Sequence, residues 1–304
     1  MAVLIDVSQI LISGVCIAFN KHGDELDESM IRNMFLNSIK SLRSRYILDF
    51  GEPFILCFDG KGYWRKDVFE FYKYKRAAGR EASPMDWELI FSTLNKIYDE
   101  LNEYFPYHSI KIDGCEADDI ISIMAKYFNT QEFRYDGVML EKQKVLIVSN
   151  DMDFIQLQAY DNVSQYSPMK RKFLREPDPI RAAYAKFISG DTGDGIVNMF
   201  TDGCVIADPD TRQTSARKKI TDPILESLCE TGELPADLPE DQKRYYARNK
   251  MLIDLVDLQL PQTLIDQTIE RYMSIDNSNK GRGDLFNYFL KFNLKNLLKE
   301  IDKF

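Results

Sequence analysis

Short apolar runs alternate with stretches of helical periodicity along the first 180 residues. The runs at residues 2–6, 53–58, 109–112 and 144–148 have the length and composition of buried strands. Between them, apolar residues recur every three to four positions, for example at 31, 35, 39 and 42, which predicts helices. This alternation predicts an α/β fold with a central, mostly parallel sheet flanked by helices. In such sheets the functional site lies beyond the carboxyl ends of the strands.

The alternation stops near residue 181. Helical periodicity alone continues at residues 182–188, 242–258, 264–273 and 285–301, whereas residues 201–219 and 232–241 are polar and contain prolines. We therefore expect an α/β domain over residues 1–180 and a helical domain over residues 181–304.

Composition and charge narrow the class of protein. The 304 residues are 44% hydrophobic and 29% charged, as in a globular protein with one large or two moderate domains. The chain has no basic leader and no run of 18 apolar residues, so we expect a cytoplasmic protein without a signal peptide or membrane span. With 39 Lys and Arg against 48 Asp and Glu, the net charge of −9 argues against a nucleic-acid partner until the charges are located.

The chain has too few cysteines and histidines, too far apart, for a His/Cys metal site or a histidine-based catalytic site. The five cysteines are far apart and read as reduced thiols, and His22 and His108 are the two histidines of the sequence. A zinc site of the His/Cys type and a histidine-based catalytic triad therefore lack parts. A metal ion in this protein would be held by oxygen ligands.

Acidic residues stand at five motif positions, after predicted strands or near helix starts. They are Asp6, Asp59, Glu116, Asp118, Asp119, Asp151, Asp153, Asp191 and Asp194. Taken singly, each reads as a turn former, a helix cap or a partner of a helix dipole. Brought to one edge of a sheet, they would repel one another by several kcal/mol unless cations neutralised them.

An oxygen-only ligand set favours Mg²⁺, with Mn²⁺ as a substitute. Two such ions about 4 Å apart activate a water molecule and stabilise the leaving oxygen of a phosphodiester. The carboxylate pattern therefore predicts two-metal phosphodiester hydrolysis.

Residues 61–80 are basic and aromatic, with seven Lys or Arg against two carboxylates and thus a local charge of +5. Arg65, Phe69, Tyr72 and Arg76 follow helical spacing, which would place cations and rings on one face. Rings stack on bases while cations hold phosphates, so the segment fits single-stranded nucleic acid. The alternative is an exposed basic helix whose aromatic rings pack on the core. Residues 170–172, Lys-Arg-Lys, are a smaller basic turn that reads equally well as a solvated loop.

The sequence Gly-Asp-Thr-Gly-Asp-Gly at residues 190–195 separates two apolar segments. Glycines allow close approach of the backbone to phosphate, and N–H groups at a following helix start bind anions. An ordinary turn between two helices is the alternative.

Together these motifs resemble the 5′-nuclease (flap endonuclease) superfamily, and closely its RNase H and 5′-3′ exonuclease members from T-even-type bacteriophages. The segments that carry the resemblance are residues 4–10, 58–67, 116–120, 151–157, 166–169 and 190–194. The resemblance implies a PIN/5′-nuclease-like sheet and a helical DNA-binding domain that contains a helix-three-turn-helix.

The resemblance also implies roles for individual residues. One metal ion would be held by Asp6, Asp59, Asp118 and Asp151, and the second by Asp153, Asp191 and Asp194. Glu116 and Asp119 would either bind an ion directly or contact its ligands. Residues 61–80 would form an arch over the 5′ end, where Lys73 and Arg65 contact the scissile phosphate. Further nucleic-acid contacts would come from Lys61, Tyr63, Tyr72, Arg76 and Arg80 in the arch and from Gly190, Gly193 and Gly195 against the duplex backbone.

The implied function is a structure-specific, magnesium-dependent 5′-nuclease that removes RNA primers and 5′ flaps during DNA replication. Its substrates would be flapped or branched DNA and RNA–DNA hybrids, and a single-stranded DNA-binding protein is the suggested partner. In the phage members a polar extension before the first strand is linked to sliding-clamp binding. Because the first strand begins here at residue 2, clamp binding by that route is not expected.

Two other readings remain open from the sequence. A phosphatase of the haloacid dehalogenase type also has an Asp after its first strand, but it wants a second Asp two residues later, where this chain has Ser8. A non-catalytic DNA-binding replication factor is the other reading, and it would not need the full set of carboxylates.

Overall fold

The computed structural model describes residues 2–22, 26–130, 133–135, 138–140, 142–208 and 210–304. The strands are β1 Ala2–Asp6, β2 Phe54–Phe58, β3 His108–Lys111, β4 Phe133–Tyr135, β5 Val138–Leu140, β6 Val145–Val148, β7 Val163–Ser167 and β8 Lys172–Leu174. The helices of the first half are α1 Val7–His22, α2 Glu28–Phe50, α3 Trp64–Val68, α4 Tyr74–Glu81, α5 Trp87–Tyr104 and α6 Ala117–Thr130. Those of the second half are α7 Pro179–Ser189, α8 Lys218–Thr231, α9 Glu240–Ile253, α10 Gln262–Ser274, α11 Arg282–Lys291 and α12 Lys295–Leu298. Turns of 3₁₀ helix occupy Met152–Ala159, Gly203–Ile206 and Ile301–Lys303.

Six strands form one sheet in the order β3-β2-β1-β6-β7-β8, which confirms the predicted mostly parallel α/β fold. All neighbours pair in parallel except β7 and β8. Every residue of β1, β2 and β6 is buried, as expected for strands covered by helices on both faces. The carboxyl ends of β1, β2, β6 and β7 therefore lie along one edge of the sheet, and β4 and β5 form a separate hairpin.

The two faces of the sheet have separate cores because successive strand residues point to opposite sides. Val3 and Ile5 of β1 pack with α1, α2, α5 and α11. Ala2 and Leu4 pack with α6 and, at the periphery, with α10. A third core joins α7, α8 and α9 and receives Phe69 from the segment after β2.

The helical second half does not form one body apart from the sheet. Helices α7–α9 share the third core, but α10 packs on α6 and β3, and α11 packs on α5. Phe304, the last residue, contacts Phe105 and Phe289 in the core of the sheet. Residue 181 thus marks a change in element type, whereas the last 45 or so residues belong by packing to the α/β body.

Helix boundaries in the second half differ from prediction at three places. The helix predicted at 242–258 ends at Ile253, because the side chain of Asp254 accepts hydrogen bonds from the N–H groups of Val256 and Asp257 and forms a turn. The helix predicted at 285–301 is interrupted where Asn293 takes a positive φ of 55°. Helix α8 was not predicted because it contains Pro223 and buries only Ile224 and Leu228. No helix within the described ranges has an apolar stretch long enough to cross a bilayer.

Candidate active site

Carboxylates that are buried or partly buried occupy the edge at which β1 and β2 end. Asp6 closes β1 and is 5% exposed; its Oδ1 accepts from the N–H of Gln9 and its Oδ2 from Ser149 Oγ, both at 3.0 Å. Asp59 follows β2, and its Oδ1 accepts from the N–H of Ala117 at 2.8 Å. These contacts bring the ends of β1, β2 and β6 and the start of α6 to one place.

The carboxylates of this edge raise one another's pKa values. Burial and then the charges of Asp59 and Asp151 raise the pKa of Asp6 to about 7. Burial, Asp6 and Asp151 raise the pKa of Asp118, in the first turn of α6, well above its usual value. Burial also raises the pKa of Asp151, although Lys186 opposes it. The four predicted ligands of one metal ion thus form a single electrostatic cluster that favours a bound cation.

A lysine joins two carboxylates of the second predicted metal site. Lys186 of α7 pairs through Nζ with Asp153 Oδ1 and, at 2.8 Å, with Asp191 Oδ2. Although burial opposes ionisation, this ammonium and the N–H groups of Asp194 and Gly193 lower the pKa of Asp191. Sequence reasoning missed Lys186, since a lone lysine on a helix carries no signal until the fold places it beside two acids.

Glu116 and Asp194 are held by the basic segment. Glu116 is 2% exposed and accepts from Arg65 Nη1 at 3.1 Å, Tyr72 Oη at 2.6 Å and Lys73 Nζ. Asp194 lies 3.1 Å from Tyr72 Oη and 3.7 Å from Lys73 Nζ. Arg76, which is half-exposed, also pairs with Asp194. The predicted arch residues and the predicted metal ligands therefore contact one another.

Arg65 does not lie where the resemblance places it. Its guanidinium pairs with Asp119 Oδ1 at 2.8 Å and with Glu116, and its Nε donates to the carbonyl of Leu252 at 2.8 Å. With 3% of the residue exposed, no surface is left for a phosphate. The expected contact with the scissile phosphate stays a prediction, and in this geometry Arg65 holds Glu116 and Asp119.

Asp119 likewise serves as an anchor. It is fully buried, and its Oδ2 accepts from Trp64 Nε1 at 3.2 Å and from the N–H of Glu116 at 2.9 Å. Its Oδ1 lies 2.8 Å from Arg65 Nη1 in an ion pair, so Asp119 contacts the residues around the predicted metal ligands, and its own role at a metal ion stays a prediction. Asp119 thereby connects the start of α6 with Trp64 and Arg65 of the basic segment.

The basic segment is not one helix with a shared cationic and aromatic face. Helices α3 and α4 are separated by residues 69–73, where Phe69 is extended and Lys73 has φ 55°. Phe69 and Tyr72 are buried in the third core, so packing overrides the helical spacing. This agrees in part with the alternative in which the aromatic rings pack on the core.

The remaining predicted arch residues are more accessible. Lys61 is exposed, and its N–H donates to Asp113. Tyr63 is partly buried, with its ring 5.5 Å from Lys73 Nζ. Arg80 is exposed and lies over the ring of Phe91 on α5 at 5.6 Å. These three side chains remain candidates for nucleic-acid contacts.

The glycine loop has tight backbone contacts of its own. Gly190 and Gly195 have φ values of +71° and +74°, and a Cβ on Gly195 would lie 2.7 Å from the carbonyl oxygen of Phe71. The N–H groups of Gly190, Gly193 and Gly195 donate to Lys186 O, Asp191 Oδ1 and Thr192 O. The next helical element is one 3₁₀ turn, Gly203–Ile206, so the expected phosphate contact through these N–H groups does not fit this loop.

The donor set fits hard divalent cations, although the side chains stand apart. Within the described ranges, no three His, Cys, Asp or Glu side chains are arranged to hold a metal ion. The carboxylates are nevertheless oxygen donors, and burial with neighbouring carboxylates raises the pKa values of Asp6, Asp118 and Asp151, so a nearby cation would favour their ionised forms. Lys73, Arg76 and Lys186 supply part of that charge at the second group.

A family model of the 5′-3′ exonuclease N-terminal, resolvase-like domain matches residues 5–184, more than half of the chain. The chain belongs to the 5′-3′ exonuclease family. Among curated relatives of this nuclease, ribonuclease H of Enterobacteria phage T4 is 33% identical over 314 aligned positions, which cover 99% of this chain and 95% of that protein. The predicted 5′-nuclease resemblance is confirmed, and the phosphatase reading is excluded.

Solved structures of bacteriophage T5 proteins share the nuclease fold. A T5 protein co-crystallised with metal ions has a TM-score of 0.60 and 19% identity, and the match covers 90% of this chain and 98% of that chain. A T5 flap endonuclease in a complex with DNA and metal ions has a TM-score of 0.62, at the same identity and coverage. The coverage extends the shared fold into the helical second half.

Proposed function

We propose that this nuclease is a divalent-metal-dependent, structure-specific enzyme that removes RNA primers and 5′ flaps during DNA replication. The observation that carries the proposal is the group of Asp6, Asp59, Asp118 and Asp151 at the sheet edge, of which Asp6 is buried and the others are partly buried. Desolvation and neighbouring carboxylates raise the pKa values of Asp6, Asp118 and Asp151. Such a group is unfavourable unless it binds cations, and hydrolysis of a phosphodiester uses cations in this way.

Two Mg²⁺ ions, which Mn²⁺ can replace, are the proposed cofactors. Asp6, Asp59, Asp118 and Asp151 would hold one ion, and Asp153, Asp191 and Asp194 would hold the other. When bound, the ions supply a water of lowered pKa and stabilise the charge on the leaving oxygen. Titration with the chlorides of Mg²⁺, Mn²⁺ and zinc would distinguish which of these ions the carboxylate oxygens bind.

Lys73 is proposed as the residue that faces the scissile phosphate. Its ammonium already lies between Glu116 and Asp194, at the point where the arch meets the carboxylates, and its side chain is 10% exposed. Glu116 and Asp194 raise the pKa of Lys73 although burial opposes them, so the group stays charged. A fixed ammonium beside a developing phosphoryl charge stabilises the transition state. Tyr72 and Arg65 position Glu116, which in turn positions Lys73.

The relatives and the accessible arch support the proposed substrate class. The T4 relative is a ribonuclease H, and the T5 flap endonuclease was crystallised with DNA. We therefore propose flapped DNA and RNA–DNA hybrids as substrates, with Lys61, Tyr63 and Arg80 on the single strand. The helical segment from residue 181 would hold the duplex through its backbone, without reading sequence.

The test is cleavage of a 5′-labelled flap and of an RNA–DNA hybrid with Mg²⁺, with Mn²⁺ and with EDTA. We expect Asp151→Asn and Asp194→Asn each to lose at least about 100-fold in turnover while keeping DNA affinity. Asp161→Asn is the matched control, because Asp161 is exposed and pairs only with Lys142 among the described residues. Wild-type rates in both site variants, or binding without any cleavage by the wild type, would refute the proposal in favour of a non-catalytic factor.

A further inference from the structure

Strand β7 places a fully buried amide, Gln165, between apolar strand neighbours. Its partners in register are Ile147 of β6 and Leu174 of β8, and both are buried. Val163, two residues earlier and on the same face of the strand, packs in the core shared with α6. Gln165 Oε1 has no hydrogen-bond partner among the residues that the structure describes. A buried polar atom without a partner is unfavourable, so packing alone does not account for an amide at this position.

The amide NH₂ group of Gln165 holds the turn that follows β6. Its Nε2 donates to the carbonyl of Ser149 at 3.2 Å and to the carbonyl of Asp151 at 2.5 Å. One side chain therefore holds both ends of the turn at residues 149–151. A hydrocarbon side chain of similar size has no donor and could make neither contact.

This turn joins two proposed ligands of one metal ion. Ser149 Oγ donates to Asp6 Oδ2 at 3.0 Å and accepts from the N–H of Asp151 at 3.1 Å. On the other side, the N–H of Gln9 donates to Asp6 Oδ1 at 3.0 Å, and Gln9 Oε1 accepts from the N–H of Asn150 at 3.4 Å. Because both sets of contacts run from the turn to Asp6, a displacement of the turn changes the distance between Asp6 and Asp151.

We propose that Gln165 is a positioning residue for the metal ion that Asp6 and Asp151 would share. Its amide fixes the turn at residues 149–151 and thereby sets the spacing of the two carboxylates. Gln165 acts through backbone carbonyls and is not itself proposed as a ligand. Groups that orient metal ligands in this way contribute about 10- to 100-fold to metal affinity. The inference rests on the proposed function, which supplies the ion.

The experiment measures Mn²⁺ binding to the protein without DNA, by electron paramagnetic resonance of the free ion. Q165M keeps the approximate length of the side chain and removes the amide, so the Kd of one bound Mn²⁺ should rise about 10- to 100-fold. Cleavage of a 5′ flap supplies a second measurement. The Mg²⁺ concentration for half-maximal cleavage should rise in Q165M, whereas kcat at saturating Mg²⁺ and KM for the flap should stay near the wild-type values.

Q156M is the matched control, because Gln156 has the same kind of buried amide. Gln156 is 2% exposed, its Nε2 donates to the carbonyl of Ile253 at 3.2 Å, and its Oε1 accepts from the N–H of Leu255 at 3.3 Å. Neither partner is a proposed metal ligand. Q156M should therefore lose stability in urea unfolding without divalent metal and keep the wild-type affinity for Mn²⁺.

Two more variants test the route from Gln165 to the carboxylates. Q165N keeps an amide on a side chain that is one methylene shorter and cannot span both carbonyls; it should lose affinity as Q165M does and serves if Q165M does not fold. S149A removes the hydroxyl between Asp6 and Asp151 and should also weaken Mn²⁺ binding. Because both changes act on one turn, the losses in Q165M/S149A should be less than additive. Additive losses would overturn the proposed route through the turn.

The outcomes distinguish this inference from the proposed function. Wild-type Mn²⁺ affinity in Q165M and Q165N would overturn the positioning role even if the wild type cleaves flaps. Equal losses of affinity in Q165M and Q156M would also overturn it, because a general loss of packing would then explain both. If the wild type binds Mn²⁺ but cleaves no nucleic acid, while Q165M and Q165N bind Mn²⁺ more weakly, the nuclease proposal fails and the positioning role stands.

Discussion

Replacement of Arg65 by methionine should destabilise the protein strongly, because the guanidinium neutralises two buried acids. Arg65 is 3% exposed, pairs with Glu116 and Asp119, and donates to the carbonyl of Leu252. Breaking a buried ion pair by removing one partner costs about 3–5 kcal/mol, since the remaining charge is left without compensation. We expect a loss of this size in the free energy of unfolding of R65M.

Urea unfolding without divalent metal measures this loss, with the m-value as a check that the variant unfolds from a similarly compact state. R181M is the matched control, because Arg181 pairs with Glu226 on the surface and an exposed ion pair contributes little to stability. The double variant R65M/D119N removes one of the stranded charges. It should therefore recover part of the loss, with a coupling energy of about 0.5–3 kcal/mol.

Two results would refute this reasoning. If R65M unfolds with the small loss seen for R181M, the buried pairs do not stabilise the fold as their geometry indicates. If stability is kept while flap cleavage falls 100-fold or more, Arg65 acts on the substrate phosphate, as the resemblance implied. An absence of recovery in R65M/D119N would remove Asp119 from the network.

Two further predictions concern the carboxylate edge and the glycine loop. Burial and then the charge of Asp59 raise the pKa of Asp6 to about 7, so the folded chain binds this proton more tightly than the unfolded chain does. Without metal, the free energy of unfolding should therefore decrease as the pH rises from about 4 to about 7, by up to about 4 kcal/mol. Urea unfolding at several pH values should show that stability depends less on pH in D6N than in the wild type. An equal dependence in the two proteins would contradict the raised pKa of Asp6. G195A should lose about 1–3 kcal/mol more than G232A, because both glycines have positive φ but only Gly195 would bring a Cβ to 2.7 Å from Phe71 O. If the melting temperature falls equally in the two variants, the backbone moves away from the added Cβ without a measurable cost.

The sheet and the first group of carboxylates could be predicted because local pattern decides them. β1, β2 and β6 are short runs with buried residues throughout; β1 ends in Asp6, and β2 and β6 are followed within three residues by Asp59 and Asp151. Once such strands pair in parallel, their following residues must meet at one edge, whatever the helices do. Asp6, Asp59 and Asp151 therefore come together without any knowledge of long-range contacts.

The arch could not be predicted in the same way, because tertiary contacts break its helical period. The N–H of Lys73 donates to the carbonyl of Asp194 at 2.7 Å, and Lys73 takes φ 55° at that point. Phe69 and Tyr72 pack into the third core, whose other buried residues come from more than 100 positions later in the sequence. A spacing rule that assumes an unbroken helix places Arg65 on the surface, whereas these contacts bury it.

The net charge of −9 also has a different meaning once the charges are located. Nine of the 48 acidic residues belong to the candidate site, which leaves the rest of the chain with as many acids as its 39 bases. The acidic excess is thus concentrated at one edge of the sheet. There, a divalent cation that binds Asp153 or Asp191 must compete with Lys186 for the same oxygens. A cation that binds Asp194 must compete with Lys73 and Arg76. Like charges cannot share these oxygens at close range, so cation binding and the release of these side chains toward an anionic substrate favour each other. The acidic composition is therefore compatible with a nucleic-acid substrate, because the cations of the proposed function would turn this edge from repulsive to attractive for phosphate.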